Sequence, residues 1–147
     1  MSVDGGTALG GILSGGSFSF DVGILSAGGH SLAATYSAQG DFAASSSGAA
    51  LTVKPAGLTV TADSPSMTYG SSVAALTYTY TGLVNHDSSA AFTGALATTA
   101  SGTPGAGSYA ITEGTLAATG NYTIAAFSPG KLTVNPAGLT VTASSRQ

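Results

Sequence analysis

Residues 54–62 read Lys-Pro-Ala-Gly-Leu-Thr-Val-Thr-Ala, and residues 135–143 read Asn-Pro-Ala-Gly-Leu-Thr-Val-Thr-Ala, 81 positions later. A segment repeated at a fixed distance is typical of tandem modules that follow one another along a chain. Proline and glycine favour a joint, and the Leu-Thr-Val that follows favours a strand. The repeat therefore predicts three parts: an incomplete module over residues 1–54, a module over residues 55–135, and the first strand of a following module over residues 136–147.

Composition narrows the functions open to the chain. Charged residues make up 6% of the 147 residues, glycine contributes 22, and the net charge is −3. Three basic residues cannot neutralise a phosphate backbone or an anionic bilayer, so we expect no nucleic acid partner. The apolar runs are short, so we expect no membrane insertion. The chain has no cysteine, which excludes disulfides, thiolate metal sites and thiol nucleophiles.

Apolar and polar residues alternate with a period of two over most of the chain, as they do in half-buried strands. Three clear runs are residues 17–22, 30–36 and 76–81. Turn signals rich in glycine and proline separate the runs, and short strands at this spacing are typical of β-sandwiches. The one helical expectation is a single turn over residues 85–92, capped by Asp87 and pinned to the core by Phe92.

The last hairpins of the two modules also align. Residues 27–32 match residues 106–111, with His30 opposite Tyr109. In sandwich domains a residue at this position, usually tyrosine, turns its polar tip back to hydrogen-bond a neighbouring backbone segment at a corner. We therefore predict that His30 and Tyr109 are structural corner residues.

The motifs of both modules resemble known bacterial repeats. Residues 25–53 resemble the C-terminal half of a bacterial Ig-like repeat, through Ala27-Gly28-x-His30-x-Leu32, Gly40-Asp41-Phe42 and Leu51-Thr52-Val53. Residues 56–134 resemble an MBG-type repeat of bacterial surface adhesins, the version marked by a Tyr-Gly pair. The motifs that carry this second resemblance are Leu58-Thr59-Val60, Tyr69-Gly70, Gly107-x-Tyr109-x-Ile111, Asn121-Tyr122-x-Ile124 and Leu132-Thr133-Val134.

The resemblance implies an all-β fold of tandem Ig-like β-sandwich modules, of which the first is truncated at its N-terminus. It also implies an extracellular location at the bacterial cell surface and a role as a non-enzymatic stalk, fibre or adhesive module. Such repeats have no associated catalytic residues, so none are carried over to this chain.

The residues themselves give little support to an enzyme or a metalloprotein. His30 falls on the apolar side of an alternating strand, where a packed ring is the plain interpretation, and His86 has no second ligand nearby in sequence. The six acidic residues are scattered singly, so a calcium site at Asp41 or Asp63 is a remote alternative. We therefore expect no catalytic residue, no cofactor and no metal site.

A sandwich that lacks its first strands leaves backbone groups unpaired along an apolar groove. One candidate cover is the C-terminal strand of another copy, whose residues are Leu139, Thr140, Val141, Thr142 and Ala143. Such a contact is head-to-tail and does not close on itself, so it predicts filaments formed by strand addition. The alternative is that the ends of the chain are arbitrary cuts.

The sequence thus favours a structural module whose partners are other copies of itself or neighbouring repeats. The alternative function is an adhesive module whose loops bind a glycan or a host surface protein. Sugar-binding sites favour exposed Trp or Tyr. The chain has no Trp, and four of its tyrosines fall at inward positions: Tyr36, Tyr78, Tyr80 and Tyr109.

Overall fold

The computed structural model describes residues 1–145, and within them the fold is all-β, as the alternating pattern predicts. Twelve strands form four sheets among these residues. The strands are β1 (Ser2–Val3), β2 (Gly28–Tyr36), β3 (Ser45–Val53), β4 (Ala56–Ala62), β5 (Ser66–Thr68), β6 (Tyr78–Thr81), β7 (Phe92–Thr93), β8 (Ala97–Thr98), β9 (Gly107–Thr112), β10 (Ala117–Ala118), β11 (Tyr122–Ser128) and β12 (Gly130–Asn135).

Residues 1–54, the predicted first module, contain one antiparallel sheet in the order β1-β2-β3. None of its residues is buried, and Ile12, Ile24 and Phe42 are 92%, 75% and 73% exposed. Residues 17–22 do not form the predicted strand. Alternation defines only the two faces of a strand, and a strand also needs a partner whose backbone it can pair with.

The second module has two sheets that enclose its core. One sheet has the order β11-β4-β6 and the other β5-β12-β9-β8, while β7 and β10 form a separate short ribbon. The core cluster joins Ala62 of β4 to Ile111 of β9 and to Leu132 and Val134 of β12. Side chains from both sheets therefore meet between them, which is the arrangement of a β-sandwich.

The repeated segment shows why β4 forms. Leu58 and Val60 are fully buried, whereas Thr59 and Thr61 point outward. The strand pairs in parallel with β11 and antiparallel with β6, so both of its edges are satisfied. Residues 139–143 have the same letters but form no strand, and Leu139 and Val141 are 89% and 85% exposed.

The helical turn predicted over residues 85–92 is wrong. The chain makes a tight turn in which Asp87 donates its N–H to the carbonyl of Val84 at 3.0 Å. Asn85 and His86 have φ values of 56° and 63°, the left-handed region, which is characteristic of type I′ turns and is incompatible with a right-handed helix. Phe92 packs against Tyr80, with ring centroids 4.9 Å apart.

Candidate interface between modules

Asn121 makes two hydrogen bonds at the boundary between the two modules, called the joint below, and one of them crosses it. Its side-chain Oδ1 accepts the N–H of Ala27 at 2.8 Å, and its backbone carbonyl accepts the N–H of Ala56 at 2.8 Å. Gly120, with φ of 69°, allows the turn that presents Asn121 just before β11. One residue therefore contacts the first module and the start of the repeated segment together.

Tyr122 supports this joint from the neighbouring position. Its side chain is 6% exposed, and its hydroxyl donates to Asp87 Oδ2 at 2.5 Å. The Tyr122 hydroxyl oxygen also accepts the N–H of Val84 at 3.2 Å. The hydrogen bond to Asp87 raises the pKa of the Tyr122 phenol, because ionisation would remove the donated proton and set two negative charges together. Asp87 thus ties the turn at residues 84–87 to β11.

The sequence prediction uses Asn121 and Tyr122 only as part of a repeat motif and does not predict their place at the joint. A signal for it was present in the sequence. Residues 40–42 read Gly-Asp-Phe and residues 120–122 read Gly-Asn-Tyr, which is the same order of glycine, short acceptor and aromatic ring in the two modules. Such a repeated triplet marks an equivalent position in each module.

The turn that Tyr122 holds also recurs in the first module, 81 residues earlier. Gly6 donates its N–H to the carbonyl of Val3 at 2.9 Å, and the central residues Asp4 and Gly5 have φ values of 49° and 70°. Here the turn is fixed from β2, since Asp4 Oδ1 accepts the N–H of Ser31 at 2.7 Å. The two modules therefore repeat the turn but hold it with different partners.

The two predicted corner residues each contact the carbonyl four positions upstream. Tyr109 donates its hydroxyl to Gly105 at 2.9 Å, and His30 Nε2 lies 2.8 Å from the carbonyl of Ser26. His30 Nδ1 also lies 2.7 Å from Asp4 Oδ2. Because both acceptors lack protons, this geometry suits the doubly protonated imidazolium. Their contribution to stability stays a prediction.

The contact between His30 and Asp4 shifts the pKa values of both side chains. The Asp4 carboxylate raises the pKa of His30, and the hydrogen bond from His30 lowers the pKa of Asp4. The His30 side chain is 8% exposed and that of Asp4 is 49% exposed, so solvent screens the pair on one side. The pair fastens the first turn of the chain to β2.

An open groove of about 740 Å³ lies in the first module. Its apolar lining includes Leu9, Leu13, Phe18 and Phe42, and residues 34–36 of β2 and 45–47 of β3 complete it. Within residues 1–145, β3 pairs with β2 alone, so it is an edge strand, and its beginning lines the groove. This groove, called the acceptor groove below, therefore brings apolar side chains together with the beginning of an edge strand.

The candidate donor strand lies at the other end of the chain. Residues 139–143 make no ladder with any strand among residues 1–145, and their apolar side chains face solvent. The last two residues of the predicted segment 136–147 lie outside the described residues. Residues 139–143 therefore do not line the acceptor groove of their own chain.

The chemistry available elsewhere is sparse. Over residues 1–145, no three histidine or acidic side chains come close enough to hold a metal ion. His86 occupies the turn before Asp87, and Asp63 accepts a hydrogen bond from the Thr77 hydroxyl at 2.5 Å. The calcium alternative at Asp41 or Asp63 stays an untested prediction. Within the same range there is no helix long and apolar enough to cross a bilayer.

The Tyr69-Gly70 pair closes a turn at the edge of the second module. Tyr69 donates its N–H to the carbonyl of Asn135 at 2.8 Å, at the end of β12. Gly70 has φ of 94°, a conformation that side chains with a Cβ rarely adopt, and Ser71 donates back to Thr68. The tyrosine backbone therefore extends the pairing of β5 with β12, and the glycine turns the chain away.

A comparison with known protein families identifies the family of the second module. Residues 58–133, just over half of the chain, match the family described as MBG domain (YGX type). No curated protein and no solved structure gives a significant match. The family match does not reach residues 1–54, so their resemblance to a bacterial Ig-like repeat stays a prediction. MBG domains are repeat modules of bacterial surface proteins. The chain belongs to the YGX-type MBG domain family.

Proposed function

We propose that the chain is a non-enzymatic structural segment of an extracellular bacterial surface protein, an adhesin stalk or fibre built from similar modules. This proposal rests on the segment that occurs twice in the chain, once as a strand and once as an exposed segment. Residues 56–62 form β4 in the core of the second module, and residues 137–143 repeat the same letters as an exposed segment. A repeat array needs such a strand at the start of each module.

We further propose that copies assemble head-to-tail by strand addition. β3 is an edge strand whose beginning lines the acceptor groove, and residues 139–143 expose Leu and Val and make no ladder with a strand among residues 1–145. Joining them would satisfy backbone groups and bury apolar surface on both partners. The two surfaces differ, so each addition leaves a new groove and a new tail free.

The test compares substitutions that add the same charge at alternating positions of residues 139–143. In β4 the counterpart of Val141 is buried, and the counterpart of Thr140 faces outward. Val141→Asp should therefore abolish association in sedimentation velocity experiments, and Thr140→Asp should leave most of it intact. A full-length chain that stays monomeric, or equal loss in both variants, would contradict assembly by strand addition.

A second candidate function is a ligand-binding adhesive module, and the acceptor groove is the observation that favours it. Its volume and the 73% exposure of Phe42 would suit a sugar ring or a short peptide of a host surface protein. Glycan array binding that is lost in Phe42→Ala and kept in Phe20→Ala would favour this function. Absence of binding together with Val141-dependent assembly would favour the structural one.

A further inference from the structure

The pairing register of β2 with β3 in the first module matches that of β9 with β12 in the second. His30 lies opposite Leu51 on β2 and β3, as Tyr109 lies opposite Leu132 on β9 and β12. The ends of these ladders also agree, since Gly28 faces Val53 and Gly107 faces Val134. β3 therefore occupies in the first module the place that β12 occupies in the second.

The correspondence in sequence continues backwards along β3 to the acceptor groove, where residues 45–47 pair with β2 and their counterparts pair with β4. Residues 40–44 correspond to residues 120–124, and residues 45–47 correspond to residues 126–128. The one extra residue in the second module is Ala125, where the register of β11 against β4 shifts as in a β-bulge. Residues 44–47 thus correspond to the part of β11 that pairs with Leu58, Thr59, Val60 and Thr61.

Each residue that forms the joint between the modules has a counterpart elsewhere in the chain. In a head-to-tail contact, one copy would supply the counterpart of Asn121 and the next copy would supply the others. Asp41 corresponds to Asn121 and follows Gly40, whose φ of 56° is close to the 69° of Gly120. Ala106 corresponds to Ala27, and Ala137 corresponds to Ala56. Asp41 and Ala106 are both exposed. One copy therefore presents the acceptor half of a joint, and the next presents the donor half.

We infer that the contact between copies reproduces the joint between the two modules, with Asp41 in the role of Asn121. The Ala106 N–H of the donor copy bonds the Asp41 side chain of the acceptor copy, and the Ala137 N–H bonds the Asp41 backbone carbonyl. Residues 139–142 then run parallel to β3, with Thr142 opposite Ser47. This inference rests on the proposed head-to-tail assembly and adds its register and its specificity.

The aspartate fits this role as well as asparagine does. A carboxylate oxygen accepts an N–H in the same geometry as an amide oxygen, and its charge strengthens the bond. The neighbouring residues also correspond, because Phe42 takes the place of Tyr122 beside the groove. Unlike Tyr122, Phe42 has no hydroxyl that could donate a hydrogen bond. The first module has no acceptor for one either, because Gly6 stands at the position of Asp87 and offers no carboxylate.

Cysteine pairs test the register directly, because the chain has no cysteine of its own. Two single-cysteine variants, Ser47→Cys and Thr142→Cys, are mixed and oxidised, and disulfide-linked pairs are read by non-reducing electrophoresis and peptide mass spectrometry. A mixture of Ser45→Cys with Thr142→Cys is the mismatch control, since two residues shift the partner by about 6.6 Å along a parallel strand. The internal control is Thr61→Cys with Ser128→Cys in one chain, which face each other in the structure.

The inferred register predicts a mixed disulfide from the Ser47 pair in at least tenfold excess over the Ser45 pair. Equal linkage, or an excess for the Ser45 pair, would overturn the register while leaving assembly standing. Linkage from neither mixture, with a monomeric full-length chain in sedimentation, would overturn the proposed assembly and this inference together.

Substitutions at Asp41 test the specificity of the joint. Asp41→Ala should weaken association about tenfold, as expected for loss of one hydrogen bond to a charged group. Asp41→Asn should stay within about threefold of the parent chain, because the amide keeps an acceptor. Asp21→Ala removes the same charge away from the groove and should have no effect. Equal weakening by Asp41→Ala and Asp21→Ala would show a general charge effect and overturn the role of Asp41.

Discussion

Gly57 lies so close to Ala125 that a Cβ on Gly57 would stand 2.7 Å from the Ala125 Cβ. Ala125 is the extra residue at the bulge of β11, and Gly57 lies in the repeated segment that pairs with this strand. The glycine of the segment is therefore required in the second module by close packing, since real Cβ contacts are not this short.

Gly57→Ala should lower the stability of the second module by about 1–3 kcal/mol through overpacking. Its matched control is Gly138→Ala in the second copy of the segment, where nothing lies within 4 Å of an added Cβ, so we expect a change below about 0.5 kcal/mol. Urea unfolding of both variants measures the difference. Equal stability of the two variants would contradict the close packing of Gly57 against Ala125.

Asn121→Ala should loosen the joint without unfolding either module. The N–H of Ala27 loses its acceptor, whereas the N–H of Ala56 keeps the backbone carbonyl of residue 121. Hydrogen exchange should therefore speed up at Ala27 by about tenfold and stay slow at Ala56. Asn121→Asp should behave like the parent chain. Asn135→Ala is the control, and unchanged exchange at Ala27 in Asn121→Ala would contradict the joint.

Tyr122→Phe should destabilise the second module by about 1–3 kcal/mol, because the part-buried N–H of Val84 and the carboxylate of Asp87 lose their partner. Tyr69→Phe removes a hydroxyl from a side chain that is 52% exposed and should have little effect. Thermal unfolding of the two variants separates a specific contact from a general effect of the substitution. A larger loss in Tyr69→Phe would refute this account of the turn at residues 84–87.

The contribution of His30 should depend on pH. Its pKa is raised from 6.5, so the stability it supplies is fully present below pH 6.5 and is lost as pH rises through the raised value. The pKa of Asp4 is lowered from 3.8, so its contribution is present above pH 3.8 and is lost as pH falls through the lowered value.

His30→Ala should therefore lower the melting temperature more at pH 5.5 than at pH 9, without altering any binding activity. Thermal melts at the two pH values measure this, with His86→Asn as the control, since asparagine tolerates the positive φ at that position. A loss of equal size at both values would mean that packing of the ring, and not the pair with Asp4, accounts for the effect.

The sequence predicted those features that depend on local pattern. The alternation of Leu58, Thr59, Val60 and Thr61 correctly separates buried from exposed side chains in β4. Alternation could not predict which segments do not form strands, because strand formation depends on a pairing partner far away in sequence. Residues 17–22 alternate as well as β4 does, yet they form no strand.

The joint was harder to predict because its contacts join distant residues. Asp87 reads as a helix cap when only its neighbours are considered, but the left-handed backbone of Asn85 and His86 turns it towards Tyr122. The bond from Ala27 to Asn121 spans 94 positions. Comparing the two modules with each other would have revealed the shared triplet at residues 40–42 and 120–122, since equivalent positions recur with the repeat.

Electron microscopy of the purified chain tests the central claim most directly. Negatively stained samples of the full chain should contain unbranched fibres, and samples of the chain lacking residues 137–147 should contain only single particles. Fibres that persist undiminished after this deletion, or single particles in both samples, would contradict head-to-tail assembly through the repeated segment.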